Sequence, residues 1–235
     1  MSIYGNPVFL GGSGGGGGGT IVSKTITENG TYNALSDNAD GYNPVVVAVG
    51  GIEPALPAEY QEVEYIDFTP HCGYAVTIPA SFLLEAKVSP ATILPSTDRC
   101  AFGYRESSSA QTDFDLRARN GNVEFWTRAG TTDPNLSISC SPGDVVVVHG
   151  FAYNFRSTAF IGRYATYSSS SYFGFDGKIY YIKGWDDNKE LSFKFVPCYL
   201  KADDTPGFYD VVADVFYSTL NTDGGGSIAL GPDVT

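Results

Sequence analysis

The sequence is poor in the residues that most catalytic and metal sites require. Only two histidines and four cysteines occur among 235 residues, and no Cys-x-x-Cys pair or cysteine–histidine cluster is present. A structural zinc site is therefore not expected, because such sites use Cys and His ligands at short spacings. The glycine run at residues 11–19 lacks a Gly-Lys-Ser/Thr ending, which excludes a phosphate-binding loop of the common type.

Positive charge and long apolar runs are scarce as well. The chain has 14 Lys and Arg against 26 Asp and Glu, a net charge of −12. Nucleic acids and anionic membranes are poor partners for such a chain, because both require clustered basic residues. No run of about 18 apolar residues and no basic, apolar leader is present, so we expect no membrane insertion. We expect synthesis in the cytoplasm and exposure only within a particle or after lysis.

The residues that are abundant favour β-structure. Tyr and Phe number 16 and 15, and Gly and Pro number 28 and 13. Aromatic residues favour strands and Gly and Pro mark turns, whereas no segment has helical apolar spacing. An all-β fold follows, with strands predicted at residues 82–88 and 158–161. Residues 144–149 are predicted to form a strand that is apolar on both sides and hence central.

The cysteines and the acidic turns allow two interpretations each. Cys72, Cys100, Cys140 and Cys198 are expected to be small buried hydrophobes, although disulfides in three connectivities remain possible. The acidic stretches 186–188 and 203–204 are expected to be ordinary turns, although either could hold a surface calcium ion. No other cofactor or metal is expected.

The first 51 residues divide into three segments. Residues 1–10 are interpreted as an anchor peptide that docks onto another protein, or alternatively as a disordered tail. Residues 11–19 are glycine except for Ser13 and form a flexible tether, either engineered or natural; no common purification tag precedes it, which favours a natural hinge. Residues 20–51 form a small β module, too short for its own core, that must pack on the next domain or on copies of itself. The candidate anchoring residues are Tyr4, Val8, Phe9 and Leu10.

Two resemblances to known families cover most of the chain. Residues 25–32 (Thr-Ile-Thr-Glu-Asn-Gly-Thr-Tyr) and 40–49 resemble a short module common in tail and other minor structural proteins of bacteriophages. Residues 56–234 are similar to concanavalin A-like (laminin G-like) domains of phage structural proteins. The similarity lies in the opening strand at 58–67, the penultimate strand at 175–183, the strand after it at 191–198 and the closing segment at 207–210 and 215–217. The chain departs from the family at 68–74. It implies an antiparallel jelly-roll β-sandwich over residues 56–235.

The strongest local signal is a hairpin around Asn120-Gly121, which predicts a type I′ turn. The register then places Arg117 opposite Glu124 and Asp115 opposite Trp126, with Asp113 opposite Arg128. A core face is predicted for Phe114, Leu116, Ala118, Val123 and Phe125. The candidate glycan-binding residues on the other face are Arg117, Arg119, Glu124 and Trp126.

That polar face has a simpler interpretation, namely a solvated surface with cross-strand ion pairs. A second candidate site is a serine-rich loop flanked by tyrosines, a composition that suits adaptable recognition. Its candidate residues are Tyr164, Tyr167 and Tyr172.

The resemblance implies three alternative functions. The first is a virion surface protein (head fibre, decoration or tail-associated) that binds host or mucosal glycans and forms a homo-oligomer, taken as a trimer from phage fibre symmetry. The second is a purely structural decoration protein without a ligand. The third is a glycoside hydrolase, which requires paired carboxylates; the glucanase pattern Glu-x-Asp-x-x-Glu is absent, and residues 62–67 have the wrong order. We therefore expect no enzymatic activity.

Overall fold

A computed structural model describes residues 54–104, 114–127, 136–152, 157–163, 174–186, 188–222 and 225–235. The chain divides into two compact units, Met1–Glu53 and Pro54–Thr235, and all of these residues belong to the second. The predicted anchor (Tyr4, Val8, Phe9 and Leu10), the tether 11–19 and the module 20–51 lie outside the described residues.

The described residues form sixteen β-strands. In chain order the strands are β1 (Tyr60–Glu62), β2 (Ile66–Phe68), β3 (Cys72–Thr77), β4 (Phe82–Pro90), β5 (Arg99–Tyr104), β6 (Phe114–Arg119), β7 (Asn122–Thr127), β8 (Leu136–Ser139), β9 (Val146–Ala152), β10 (Thr158–Ile161), β11 (Gly177–Trp185), β12 (Leu191–Leu200), β13 (Thr205–Asp210), β14 (Val215–Tyr217), β15 (Leu220–Thr222) and β16 (Ile228–Leu230). No helix in these ranges is long and apolar enough to span a membrane.

The strands form two antiparallel sheets. The seven-stranded sheet has the order β15-β3-β10-β5-β6-β7-β8, and the nine-stranded sheet has β14-β13-β12-β11-β2-β16 with β1, β4 and β9 paired beside this path. Successive strands repeatedly cross from one sheet to the other, as in a jelly roll. The predicted antiparallel β-sandwich is confirmed.

The core lies between the sheets and is rich in phenylalanine. Alternate residues of each strand face inward, because successive side chains of a strand point to opposite sides. Phe82 from β4 contacts Phe114 from β6 and Phe193 from β12, with ring centroids 5.5 and 5.2 Å apart in edge-to-face geometry. All three rings are buried, so side chains from both sheets interdigitate.

The opening segment 58–67 was predicted as one strand, and this is wrong. It forms two short strands, because the chain changes partner between them. β1 pairs with the end of β12, whereas β2 pairs with β11 and β16. Val63, between them, bridges to Asp233 near the C-terminus.

Residues 144–149 were predicted to form a central strand with both faces buried, and this prediction is also wrong. Within the described ranges β9 pairs with β4 alone. Val148 faces the core and is fully buried, whereas Val147 is 39 % exposed and Val145 is 51 % exposed. The outer valines meet solvent because no strand or layer of the described chain covers them.

The four cysteines are free thiols. Cys72, Cys100 and Cys198 are buried and Cys140 is partly exposed. Burial raises the pKa of Cys72 to about 11 and that of Cys198 to about 12. The predicted role as small buried hydrophobes is confirmed for three of the four, and no disulfide links them.

Candidate functional site

The hairpin formed by β6 and β7 builds the candidate site. Asn120 and Gly121 have φ angles of 53° and 77°. These left-handed values are those of a type I′ turn, whose twist matches that of the flanking strands. The register pairs Arg117 with Glu124 and Asp115 with Trp126, as predicted. Asp113 and Arg128 lie outside the described residues.

The two faces of the hairpin separate apolar from charged side chains. The inner residues are all at most 4 % exposed and belong to the core, which confirms the predicted set Phe114, Leu116, Ala118, Val123 and Phe125. The opposite, outer face carries Asp115, Arg117, Arg119, Glu124 and Trp126. A slip of one residue would exchange the two sets, so the core fixes the position of the charged face.

Arg117 is the centre of a cluster of charges on the outer face. Its Nε donates a 2.7 Å hydrogen bond to Oε1 of Glu124 and lies 3.4 Å from Oδ1 of Asp115. Its Nη1 lies 3.4 Å from Oδ2 of Asp98. The guanidinium carbon also lies 5.0 Å from the centroid of the Trp126 ring, within the range of a cation–π contact. One arginine thus connects three carboxylates and a tryptophan.

Burial decides how this cluster behaves. Arg117 is only 8 % exposed and Asp115 is fully buried. Burial alone lowers the pKa of Arg117, but the carboxylates of Asp115, Asp98 and Glu124 outweigh it and raise the pKa overall. The interpretation of the whole face as a solvated surface therefore does not describe these two residues.

Asp98 is a member of the cluster that the sequence analysis missed. It precedes β5, and its Oδ1 lies 3.2 Å from Nη1 of Arg119. The loop that carries it is tied to the hairpin turn, because Asn120 donates its N–H to the carbonyl of Leu94 and accepts from the N–H of Ser96, at 3.2 and 3.0 Å. No local pattern marks Asp98, since its partner Arg117 is 19 residues away.

The predicted site residues differ in their exposure. The side chain of Arg119 is 33 % exposed and that of Glu124 is 18 % exposed. Trp126 is partly exposed. These three can meet a ligand from solvent, whereas Arg117 is engaged with its carboxylates. Tyr164, Tyr167 and Tyr172 of the second candidate site lie outside the described residues.

The acidic turns have the hydrogen bonds of ordinary turns. Oδ1 of Asp186 accepts the N–H groups of Asn188 and Glu190, both at 2.9 Å. Oδ1 of Asp203 accepts the N–H of Thr205 at 3.0 Å, and hydrogen bonding to Thr205 lowers the pKa of Asp203. Across the described ranges no group of three or more His, Cys, Asp or Glu side chains could hold a metal ion.

Comparison with known proteins finds similarity at the level of structure. No protein-family model and no curated protein matches the sequence. Among solved structures, a native heptameric SAP-like pentraxin from Limulus polyphemus is similar over 75 % of this chain and 98 % of its own, with 12 % identity and a TM-score of 0.40.

Proposed function

We propose that this chain is a lectin-like protein that binds glycans through the outer face of the β6–β7 hairpin. The observation that carries the proposal is the partly exposed Trp126 ring, which Arg117 contacts on an otherwise polar surface beside Glu124 and Arg119. Sugars have apolar C–H faces that pack on aromatic rings, and their hydroxyl groups bond to charged and polar side chains.

The residues have separate roles in this proposal. Trp126 supplies the surface on which the sugar packs. Glu124 accepts hydrogen bonds from hydroxyl groups and Arg119 donates to them, because both side chains reach solvent. Arg117 is a positioning residue that holds Glu124 and Trp126 in place before the ligand arrives. Such preorganisation favours affinity, because fewer side chains must be ordered on binding.

We propose binding without catalysis. A glycoside hydrolase requires one protonated carboxylic acid beside the scissile bond. All three carboxylates of this cluster are engaged with the guanidinium of Arg117, so none is set apart as a separate acid beside a ligand.

The biological setting is proposed from the family resemblance of residues 25–32, 40–49 and 56–234. The chain would be a surface protein of a bacteriophage particle, attached through its N-terminal peptide to other virion proteins and presenting the sandwich to host or mucosal glycans. Assembly as a homo-oligomer, such as a trimer, would turn weak sugar affinity into useful avidity.

A structural decoration protein without a ligand is the second candidate. The burial of Arg117 and Asp115 favours it, since their ion pair needs no ligand to satisfy its charges. In that case the cluster would serve to fasten the Asp98 loop to the hairpin.

A glycan array separates the two candidates. The full chain, presented multivalently, is compared with Trp126→Ala and with Trp185→Ala, a matched change of the other tryptophan, which lies on the nine-stranded sheet. We expect glycan signals that Trp126→Ala abolishes and Trp185→Ala leaves unchanged, with all three proteins melting cooperatively. Absence of any signal for the unmodified chain, or equal loss in both variants, would exclude a binding site at Trp126.

A further inference from the structure

A second polar surface lies on the nine-stranded sheet. It consists of Lys87 from β4, Lys178 and Tyr180 from β11, and Tyr65 just before β2. We call these four residues the lysine–tyrosine face. All four are partly exposed, whereas the next residues along their strands, Val88 and Ile179, are fully buried in the core. The two lysines therefore lie on the side of the sheet that faces away from the sandwich interior.

Aromatic rings hold both ammonium groups of this face. Nζ of Lys178 lies 4.2 Å from the centroid of the Tyr65 ring, and Nζ of Lys87 lies 4.5 Å from that of Tyr180. The two rings contact each other edge to face, with centroids 5.4 Å apart. A hydrogen bond with Tyr65 raises the pKa of Lys178, so this group is charged at neutral pH. The four side chains form one contiguous unit.

Neither lysine forms a direct ion pair in the described part of the chain. Asp67 lies opposite Lys178 in the pairing of β11 with β2, and its negative charge acts on that ammonium group without a direct ion pair. Lys183 on the same face differs, because its Nζ lies 2.8 Å from Oε1 of Glu85. An aromatic ring attracts a cation without cancelling its charge. Both strand partners of Lys87 are uncharged, so its ammonium group in particular can still attract an anion.

A β-bulge creates the arrangement. The pairing of β11 with β4 shifts register between Ile179 and Tyr181, which leaves Tyr180 as the extra residue. Ile179 and Ile182 both face the core, so the extra residue leaves two successive side chains, Tyr180 and Tyr181, on the outer side of the sheet. The ring of Tyr180 meets Lys87 there. Bulges re-aim side chains in this way and are frequent beside functional sites.

The chemistry of this face indicates the class of its ligand. Lys87 lies opposite Tyr181 and Lys178 lies opposite Ser89, so the two lysines are diagonal neighbours about 7–8 Å apart at the backbone. Two cations at this spacing suit a ligand with repeated anionic groups. Tyrosine rings and hydroxyls add contact area for sugar rings. The net charge of −12 opposes a broad anionic surface such as a membrane, but a single narrow chain can follow the strip.

We propose that the lysine–tyrosine face binds an acidic polysaccharide, a sugar chain bearing sulfate, carboxylate or phosphate groups. The site goes beyond the function proposed for Trp126, because it lies on the other sheet and recognises charge.

Binding of defined polymers to the full chain tests the proposal. Dextran sulfate, polygalacturonate and a phosphate-bearing teichoic acid supply the three anionic groups, and neutral dextran is the reference. Lys87→Gln with Lys178→Gln is compared with Lys189→Gln and Lys201→Gln, two exposed lysines elsewhere whose replacement changes the net charge equally. Thermal melting of each variant shows that the fold is retained.

We expect at least one acidic polymer to bind while dextran does not, and the first double variant to lose affinity about tenfold. The Lys189 and Lys201 variant should keep its affinity, as should Lys87→Arg with Lys178→Arg. Equal loss in both glutamine variants, or no binding of any acidic polymer, would overturn the proposal. Trp126→Ala should leave the binding of acidic polymers intact, so the proposal for this face and the proposal for Trp126 are tested independently.

Discussion

Arg117 and Asp115 form an ion pair on the outer face of β6, with Nε and Oδ1 3.4 Å apart, and neither side chain is more than 9 % exposed. Charges on the outside of a sheet normally reach water, where an ion pair contributes little to stability. Here water is excluded, so each charge depends on its partner. Removal of one partner of such a buried pair is strongly destabilising, because the other charge remains in a poorly solvated place.

Replacement of Arg117 by Met should therefore lower the free energy of unfolding by about 3–5 kcal/mol. The apolar stem is retained, and the buried carboxylate of Asp115 loses its guanidinium partner. Urea denaturation followed by fluorescence measures the change. Arg119→Met is the control, since this side chain is 33 % exposed and its replacement should cost about 1 kcal/mol or less. Similar losses in both variants would mean that burial of Arg117 has no energetic role.

Gly150 provides space for a ring of the opposite sheet. A Cβ added at this position of β9 would lie 2.3 Å from Cγ of Phe125 in β7. Gly150→Ala should destabilise the protein by about 1–3 kcal/mol, as overpacking of a core does. In a double-mutant cycle, Phe125→Leu should reduce the cost of the alanine, because the smaller side chain leaves room for the methyl group. Strictly additive losses would contradict this account.

The cysteines should differ in their reactivity towards a thiol reagent. Only the thiolate reacts, and burial raises the pKa of Cys72 to about 11 and that of Cys198 to about 12, so little thiolate forms at pH 8. Cys100 is fully buried as well, whereas Cys140 is partly exposed. Iodoacetamide followed by mass spectrometry should modify Cys140 first in the native protein and all four residues after denaturation. A disulfide between any two would leave both unmodified and contradict the structure.

Asp210 should make stability depend on pH. Burial raises its pKa above the ordinary value near 4, although backbone N–H groups of Lys194, Val212 and Ala213 donate to Oδ1 and partly offset this. The folded state thus binds the proton more tightly than the unfolded state. Stability should fall as pH rises from the ordinary pKa through the raised one. Asp210→Asn keeps the acceptor without the charge, so its stability relative to the unmodified protein should increase between pH 3 and pH 7.

Asp203 provides a control for that pH series, because its pKa is shifted in the opposite direction to that of Asp210. Hydrogen bonding to Thr205 lowers its pKa, so its ionised form stabilises the folded state. That contribution is present above the unfolded pKa and disappears as pH falls through the lowered one. Asp203→Asn should therefore lose stability relative to the unmodified protein as pH rises. Parallel pH profiles for the two variants would refute both assignments.

The hairpin and the strand positions could be predicted from the sequence because they depend on residues that are close together in the chain. The Asn120-Gly121 turn sets its own register, and that register sorts the apolar from the charged residues of both strands. The segments 82–88, 158–161, 175–183 and 191–198 were likewise predicted as strands and correspond to β4, β10, β11 and β12. The prediction of a central strand at 144–149 was wrong because apolar composition does not reveal whether a neighbouring strand or layer covers the segment.

The sequence by itself determined the fold class, the type I′ turn at Asn120-Gly121 and the separation of core from surface along each strand. These features depend on side-chain alternation and on turn chemistry between near neighbours. Tertiary structure alone decided that Asp98 joins Arg117, that Arg117 is withdrawn from solvent, and that Tyr180 meets Lys87 at a bulge. These contacts join strands and loops distant along the chain. Their geometry depends on sheet order, register shifts and burial, which arise only when the two sheets pack.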